Sequence, residues 1–310
     1  MPGLDTLNPA SPEANAIANL FAGTLLVMAA IFVIVAALIT IAIVRYRARP
    51  DSPEPAQDFG SLRLELLWTI GPVIIVVLLF GFTVHAMRTS DPPTDGQEPG
   101  LRVTGHQWWW EVDYLQSGVA TANEIHIPAG TPMLVELQSA DVIHDFWVPR
   151  LARKIDVVPG RANRIWLRAG QPGVYEGACA EFCGAQHAWM RFLVVAHPPA
   201  EFAEWQAMML RVPTVPASGI AGRGAKIFRD QACVSCHTIV GTPGNQRIGP
   251  DLTHLATRRI IAGGAAENTP RNLARWLADP NSIKPASHMP NFQFDKSDVA
   301  ALVAYMETLK

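Results

Sequence analysis

The sequence predicts a multidomain membrane protein made of a two-helix transmembrane hairpin, an all-β domain and an all-α domain. Three observations support this organisation. Two long apolar runs near the N-terminus contain no Asp, Glu, Lys or Arg, short segments rich in β-branched residues follow them, and a Cys-x-x-Cys-His motif stands after a predicted helix. With 310 residues, the chain is long enough for several compact units. The expected domain boundaries are 1–90, 100–210 and 217–310.

The composition is apolar and nearly balanced in charge. Hydrophobic residues make up 49% of the chain, and the formal net charge is −2. A nucleic-acid partner would call for a basic patch, which this balance does not indicate. We therefore expect no nucleic-acid partner, and a lipid bilayer around the apolar runs.

The two apolar runs predict membrane spans over about residues 18–45 and 64–88. The uncharged stretches Leu20–Val44 and Leu66–Met87 each exceed the roughly 20 residues that cross about 30 Å of hydrocarbon. Gly71 and Pro72, within the second run, are residues that membrane helices tolerate. The alternative, buried helices of a soluble domain, is disfavoured by this length.

Charges beside the runs predict their orientation. The loop between them is basic, and acidic residues stand outside the pair. The basic residues of the loop are Arg45, Arg47, Arg49 and Arg63. By the positive-inside rule the loop is cytoplasmic, so both termini and everything after residue 90 lie on the periplasmic side of a bacterial plasma membrane. The first residues lack a basic region, so we expect no cleavable signal peptide.

Residues 100–210 show the pattern of short strands separated by Gly and Pro turns. The spacing of these segments predicts an antiparallel sandwich or barrel, followed by a short helix at Pro199–Leu210. The expected strands are Leu101–Thr104, Gln107–Leu115, Glu124–Pro128, Met133–Leu137, Asn163–Leu167, Gly173–Glu176 and Arg191–Val195.

A dense group of sulfur and nitrogen ligands stands between the last two predicted strands. Cys179, Cys183, His187 and Met190 lie within twelve residues. Thiolates, imidazole and thioether are soft to borderline ligands, the set that copper prefers. One strand ends just before this run and the next begins just after it, so the ligands should lie on a loop at the tip of the domain. His144, which precedes a strand-like stretch, is the best candidate for a further ligand.

The second cofactor motif is Cys233-Val-Ser-Cys236-His237, which is typical of covalent attachment of a c-type haem. Thioether bonds would form at Cys233 and Cys236, and His237 would be an axial ligand. The run 284–292 resembles the sixth-ligand loop of cytochromes c, which assigns Met289 as the second axial ligand. His288 is the alternative, and bis-His ligation would lower the haem potential.

Helices are expected on both sides of this motif, at Ile220–Gln231 and Asp295–Leu309. All four cysteines of the chain fall inside the two cofactor motifs. The alternative, two structural disulfides in an exported protein, would leave the neighbouring His and Met residues unexplained.

Several runs together resemble subunit II of haem–copper cytochrome c oxidases. They are the copper run 179–190, the His-x-Phe-Trp-Val-Pro run at 144–149, the run Gly-His-Gln-Trp-Trp-Trp-Glu at 105–111, and the Leu-Glu-Leu-Leu-Trp-Thr run at 64–69. With the haem motif at its C-terminal side, the chain resembles the caa type, in which a cytochrome c domain is fused to the copper domain. The resemblance covers nearly the whole chain.

The resemblance implies a cupredoxin-like fold and a binuclear copper centre, CuA. Two bridging thiolates would let one electron spread over both metals, which keeps the structural change on reduction small. The implied ligands are Cys179 and Cys183 as bridges, His144 and Met190 on one copper, and His187 with the backbone carbonyl of Glu181 on the other. The alternatives are a mononuclear blue copper site, which needs only one Cys, and zinc, which rarely recruits Met.

The resemblance gives roles to three further side chains, and one residue departs from it. The Glu181 side chain would help to hold a magnesium ion shared with subunit I, and Trp108 would be an exposed electron-accepting residue beside the copper site. Glu65 would sit at the mouth of a proton path into subunit I. Asp145 departs from the usual Ser and adds a carboxylate near the copper loop.

These features predict an electron-input subunit of a terminal oxidase. Electrons would pass from cytochrome c or another donor through haem c to CuA, and then to subunit I, where oxygen is reduced to water with proton pumping. Subunits I and III would be the membrane partners. The main alternative is the electron-input subunit of a CuA-containing nitric oxide reductase. Quinol oxidase subunit II lacks the copper ligands, nitrous oxide reductase needs a large further domain, and a copper-delivery or metal-sensing protein needs no haem.

Overall fold

The computed structural model of the 310-residue chain describes residues 4–47, 49–50, 54, 57, 60–94 and 96–310. These residues form two compact units. One comprises Asn15–Asp91, and the other comprises Met1–Ala14 together with Pro92–Lys310.

The first unit consists of two long helices, α1 (Pro12–Arg45, whose first turn belongs to the other unit) and α2 (Leu62–Ser90). Both are long and apolar enough to cross a membrane, with mean hydropathy of 3.1 and 2.4 in their most apolar windows. None of the side chains in those windows is buried within the protein, as suits helices surrounded by lipid. Pro72 lies inside α2, where a membrane helix tolerates it.

The second unit begins with a β-domain of two five-stranded sheets. The strand order is β3-β2-β1-β5-β8 in one sheet and β4-β10-β9-β6-β7 in the other. The ten strands are β1 (Leu101–His106), β2 (Trp109–Tyr114), β3 (Ala120–Ala122), β4 (Glu124–Pro128), β5 (Met133–Ser139), β6 (His144–Trp147), β7 (Ile155–Val157), β8 (Asn163–Leu167), β9 (Gly173–Cys179) and β10 (Arg191–His197).

The prediction of a sandwich is confirmed, but the prediction of an antiparallel arrangement is wrong at two pairs. Strand β1 runs parallel to β5, and β4 runs parallel to β10. The reason is the path of the chain, which leaves the first sheet after β3, forms β4 in the second sheet and returns as β5. All seven expected segments form strands, whereas the three-residue strands β3 and β7 are too short to leave a period-two pattern.

The core of the β-domain lies between the two sheets and is built from alternate residues of each strand. Trp110, Phe146 and Phe192 are completely or almost completely buried there, with Trp110 packing edge-on against both phenylalanines. A Cβ at position 177 would lie 2.3 Å from the Phe192 ring, so only glycine lets β9 pass this side chain. The short helix α3 (Pro199–Met209) closes the domain.

The rest of the second unit is a helical domain with its own hydrophobic cluster. It contains α4 (Gly219–Asp230), the two-residue strands β11 (Ile260–Ile261) and β12 (Ala266–Glu267), α5 (Pro270–Ala278) and α6 (Lys296–Met306). The two helices expected from the sequence are present as α4 and α6, and α5 is an addition. The expected order, a two-helix hairpin followed by an all-β sandwich and a mainly helical domain, is present. The proposed boundaries at 90, 100, 210 and 217 stay predictions.

Candidate copper and haem centres

Strand pairing brings the proposed copper ligands to one end of the β-domain. Strand β9 ends at Cys179, and the loop from 180 to 190 returns to β10 at Arg191. Strand β6 lies beside β9, with Phe146 opposite Cys179. His144 therefore stands at the end of the neighbouring strand, beside the loop, although it is 35 residues from Cys179 in sequence.

Two thiols and one imidazole form the centre of this cluster. The Sγ atoms of Cys179 and Cys183 lie 3.7 Å apart, and His144 Nδ1 lies 3.9 Å from Cys179 Sγ. One ligand atom from each of the three residues falls within 4.8 Å of the other two, and all three residues are buried. The cysteines of this loop and of the haem motif are free thiols, as ligands or attachment points must be.

The remaining proposed ligands surround the same two sulfurs. His187 Nδ1 and Met190 Sδ each lie 3.8 Å from Cys183 Sγ. The backbone carbonyl of Glu181 lies 3.2 Å from Cys179 Sγ, while the Glu181 side chain is exposed. Thiolate, imidazole, thioether and carbonyl donors thus converge in a buried pocket, a set that fits copper and is too rich in soft ligands for magnesium or calcium.

Hydrogen bonds set the protonation of two proposed ligands, His144 and Cys179. His144 Nε2 is 2.8 Å from Asp141 Oδ1, and because a carboxylate only accepts, Nε2 carries the proton and Nδ1 stays free to face Cys179. The hydrogen bond from the Cys183 thiol lowers the pKa of the Cys179 thiol and raises the pKa of Cys183 itself, so Cys179 is the sulfur that ionises first. Sequence reasoning missed Asp141, whose only signal is an acid three residues before a candidate ligand.

Asp145, the departure from the family pattern, lies at the side of the cluster. Its side chain is 2% exposed, and it stands opposite Asp156 in the β6–β7 pair. Burial, together with the neighbouring Asp156, raises the pKa of Asp145 to about 7. Its backbone carbonyl accepts the amide of Ala180 at 3.1 Å and so helps to fix the start of the copper loop.

Trp108 contacts the copper loop directly but is not exposed as expected. Its Nε1–H donates to the Cys183 carbonyl at 2.9 Å, and Gly184 lets the loop pass within contact of the indole. Only 7% of Trp108 is exposed, because residues of the helical domain cover it. The His288 ring lies 4.7 Å from the Trp108 ring, and Lys284 Nζ donates to the Trp108 carbonyl.

The proposed haem attachment residues lie in and just after a short 3-10 turn that follows α4. His237 Nδ1–H donates to the Pro250 carbonyl at 2.7 Å, which orients the ring and leaves Nε2 free for a metal. Burial lowers the pKa of His237, so the imidazole is neutral, the form that binds haem iron. Cys233 and Met289 both pack against the same hydrophobic cluster, so the residues present fit a covalent haem with His and Met ligands.

Glu65 belongs to the other compact unit, in the first turn of α2, and its side chain is exposed. The structure thus brings the proposed copper ligands together in one cluster and places Cys233 and Met289 against the hydrophobic cluster of the helical domain. Trp108 contacts both the copper loop and the run that contains Lys284 and His288. The proton-path role of Glu65 stays a prediction.

Comparison with protein families gives three adjacent matches along the chain. Residues 3–84 match the family described as cytochrome c oxidase subunit II, transmembrane domain. Residues 115–197 match cytochrome c oxidase subunit II, periplasmic domain, and residues 221–310 match cytochrome c. The order of the three matches is the order of the predicted domains.

Individual relatives carry the same description. Cytochrome c oxidase subunit 2 of Alkalihalophilus pseudofirmus is 37% identical over 314 aligned residues, which cover 99% of this chain and 91% of the relative. The protein of that name from Bacillus sp. (strain PS3) is 31% identical, over 86% of this chain and 80% of the relative. Among solved structures, the periplasmic domain of subunit II of cytochrome oxidase (CoxB) of Bradyrhizobium japonicum is 31% identical over 35% of this chain and 91% of that chain, with a TM-score of 0.34.

The resemblance inferred from the copper run, the tryptophan run and the hairpin is therefore confirmed. The family matches imply CuA and haem c as the cofactors, and the donor atoms described above suit both. With a relative so similar along almost its whole length, this chain belongs to the cytochrome c oxidase subunit II family, in the form that carries a cytochrome c domain.

Proposed function

We propose that this chain is the electron-input subunit of an oxygen-reducing terminal oxidase. When bound, haem c and CuA would supply one-electron chemistry, relaying electrons from an external cytochrome c or similar donor to subunit I, where oxygen is reduced to water with proton pumping. The convergence of two thiols, two imidazoles and a thioether beside a haem-binding domain is the observation that carries this proposal.

The protein's own residues would hold and orient the two centres. Cys179 and Cys183 would bridge two coppers, and the other donors around them would complete the coordination. Asp141 would hold the His144 ring in the tautomer that binds metal. The burial of the sulfurs would exclude water and limit reorganisation when the charge of the site changes.

The helical domain would hold its haem between His237 and Met289. The Pro250 carbonyl would fix the His237 ring, and Met/His ligation would raise the haem potential, as a donor to oxygen chemistry requires. His288 faces Trp108, which supports Met289 rather than its neighbour as the second axial ligand.

The same proposal covers the membrane and magnesium roles. The Arg-rich loop between α1 and α2 would be cytoplasmic, and the β-domain and helical domain would be periplasmic, in a complex with subunits I and III. The exposed Glu181 carboxylate would be available for a magnesium ion shared with subunit I. Glu65 would deliver protons to subunit I from the cytoplasmic side.

The decisive experiment is metal analysis with EPR spectroscopy of the purified holoprotein. We expect two coppers and one haem per chain, with copper hyperfine structure from one unpaired electron shared by both metals. A Cys183→Ser variant should lose the shared signal, because one bridge is missing, while its haem spectrum stays unchanged. A mononuclear copper signal in the wild type would contradict the binuclear assignment.

The proton role of Glu65 is tested separately with a Glu65→Gln variant in the complete oxidase. We expect slower turnover and slower proton uptake with unchanged haem and copper spectra, because the carboxylate lies far along the chain from both centres. Unchanged turnover and proton uptake would remove this part of the proposal.

A further inference from the structure

One of the contacts between the β-domain and the helical domain joins two loops that carry proposed ligands. We call residues 179–190 the copper loop and residues 284–289 the ligand loop. Two polar side chains at this contact are almost completely buried, with Lys284 4% exposed and Gln186 2% exposed. Burying a polar group is unfavourable unless it is hydrogen-bonded, so the partners of these two residues explain why they lie there.

Lys284 extends from the ligand loop to the backbone of the β-domain. Its Nζ donates to the Trp108 carbonyl at 2.5 Å, and no carboxylate forms an ion pair with it among the described residues. The contact leaves no room for a side chain at Gly263, where a Cβ would lie 2.6 Å from Nζ and 2.5 Å from the Trp108 carbonyl oxygen. Burial lowers the pKa of Lys284 to about 7, a measure of how completely the amine is removed from water.

A single acceptor satisfies only one of the donors of this amine, so its burial costs free energy in either protonation state. A methionine of similar length would fill the same space without that cost. Stability therefore does not account for a lysine at position 284. The contact that it makes with Trp108 is the feature that a methionine would lack.

Gln186 makes the reciprocal contact from the copper loop. Its Nε2 donates to the Pro285 carbonyl at 2.8 Å and lies 3.4 Å from the Lys284 carbonyl. Gln186 immediately precedes His187, and Pro285 stands four residues before Met289. The bond thus joins the side chain of the residue before His187 to the backbone of the loop that carries Met289.

Trp108 lies between the two loops and contacts both. Its carbonyl accepts from Lys284, its Nε1–H donates to the Cys183 carbonyl at 2.9 Å, and its ring lies 4.7 Å from the His288 ring. His288 is the neighbour of Met289 in sequence. Packed groups therefore connect the ligand loop to the copper loop without a gap at this point.

We propose that Lys284 and Gln186 are positioning residues that hold the ligand loop against Trp108 and the copper loop, and so fix the spacing between the two cofactor sites. This inference rests on the proposed function, in which the two sites exchange electrons. It assigns to the two side chains no part in binding either cofactor.

The test compares Lys284→Met and Gln186→Leu with the control Lys226→Met in the complete oxidase. Lys226 is an exposed lysine of the same helical domain that pairs with Asp230 on its own helix. The first readout is amide hydrogen exchange in the two loops. Loss of a buried hydrogen bond, which leaves its acceptor unsatisfied, should weaken the docked state roughly 10- to 100-fold, equal to about 1.4–2.8 kcal/mol, with a matching loss of exchange protection.

The second readout is the rate of electron transfer from photoreduced haem c to copper. We expect slower transfer in Lys284→Met and Gln186→Leu but not in Lys226→Met, while the haem spectrum and copper EPR signal of all three match the wild type. Unchanged exchange and unchanged transfer in the first two variants would overturn the positioning role. If Lys284→Met fails to fold, as shown by a lost haem spectrum, Gln186→Leu decides alone, because it removes the contact from the opposite loop.

The two proposals fail in different ways. If the wild-type haem does not reduce copper, the proposed electron-input function is wrong whatever the variants do. If the wild type transfers electrons normally and both variants behave like Lys226→Met, only the positioning role is wrong.

Discussion

Helix α4 crosses helix α6 at Gly224, and an alanine there should destabilise the cytochrome c domain. A Cβ at this position would lie 2.0 Å from the Ala301 carbonyl oxygen and 2.8 Å from Tyr305 Cβ. Because the nearest atom is backbone, the clash is relieved only by separating the helices, which places the cost near the upper end of the roughly 1–3 kcal/mol typical of overpacking. Replacing a mid-helix glycine by alanine returns up to about 1 kcal/mol of helix propensity. The net expectation for Gly224→Ala is a loss of about 2 kcal/mol.

The assay is guanidinium unfolding of the purified protein, followed by the absorbance of the bound haem. With a denaturant slope of about 3 kcal/mol/M, the midpoint should fall by roughly 0.7 M. Lys226→Ala, on an exposed position of the same helix, is the matched control and should leave the midpoint near that of the wild type. A Gly224→Ala midpoint equal to or above the wild-type value would show that the two helices do not approach as closely as described.

Three further changes have expected outcomes. Gly249→Ala would place a Cβ 2.5 Å from the His237 ring, so we expect a weaker bond from His237 to the haem iron. The haem spectrum should change while the copper signal stays intact, and an unchanged haem spectrum would contradict the close packing. Asp141→Ala should lower copper affinity about 10- to 100-fold by freeing the imidazole that it orients, as measured by competition with a chelator, and equal retention would argue against that role. Burial and a neighbouring imidazole lower the pKa of His197 to about 4, below the usual 6.5 of the unfolded chain. Between these two values the unfolded chain binds a proton that the folded β-domain does not, so the stability present above pH 6.5 is lost as the pH falls toward 4. The unfolding midpoint of His197→Gln should therefore depend less on pH across that window than the wild-type midpoint, and parallel curves would refute the assignment.

The copper loop could be predicted from sequence because its ligands are local. Cys179, Cys183, His187 and Met190 share one loop, so their spacing alone places them together. His144 needs the pairing of β6 with β9, a long-range contact that periodicity does not reveal. Its place before a strand-like stretch makes it only the best candidate for a further ligand, and the family resemblance supplies its assignment to a copper.

Other features depend on how the second unit folds as a whole. The parallel pairs β1–β5 and β4–β10 follow from the path of the chain between sheets, which strand patterns do not encode. The burial of Trp108 depends on Lys284 and His288, more than 170 residues away in sequence. Domain docking of this kind leaves no local signal, so the expectation of an exposed Trp108 was wrong.

The cover over Trp108 has a kinetic consequence. A mobile carrier must find its acceptor by diffusion, at a rate that depends on carrier concentration and, for charged surfaces, on ionic strength. A carrier attached to the same chain and packed over the indole meets its acceptor at a fixed local concentration. In the proposed function, salt therefore affects only the arrival of electrons at the attached haem, and the internal step keeps its rate in dilute and concentrated buffer alike.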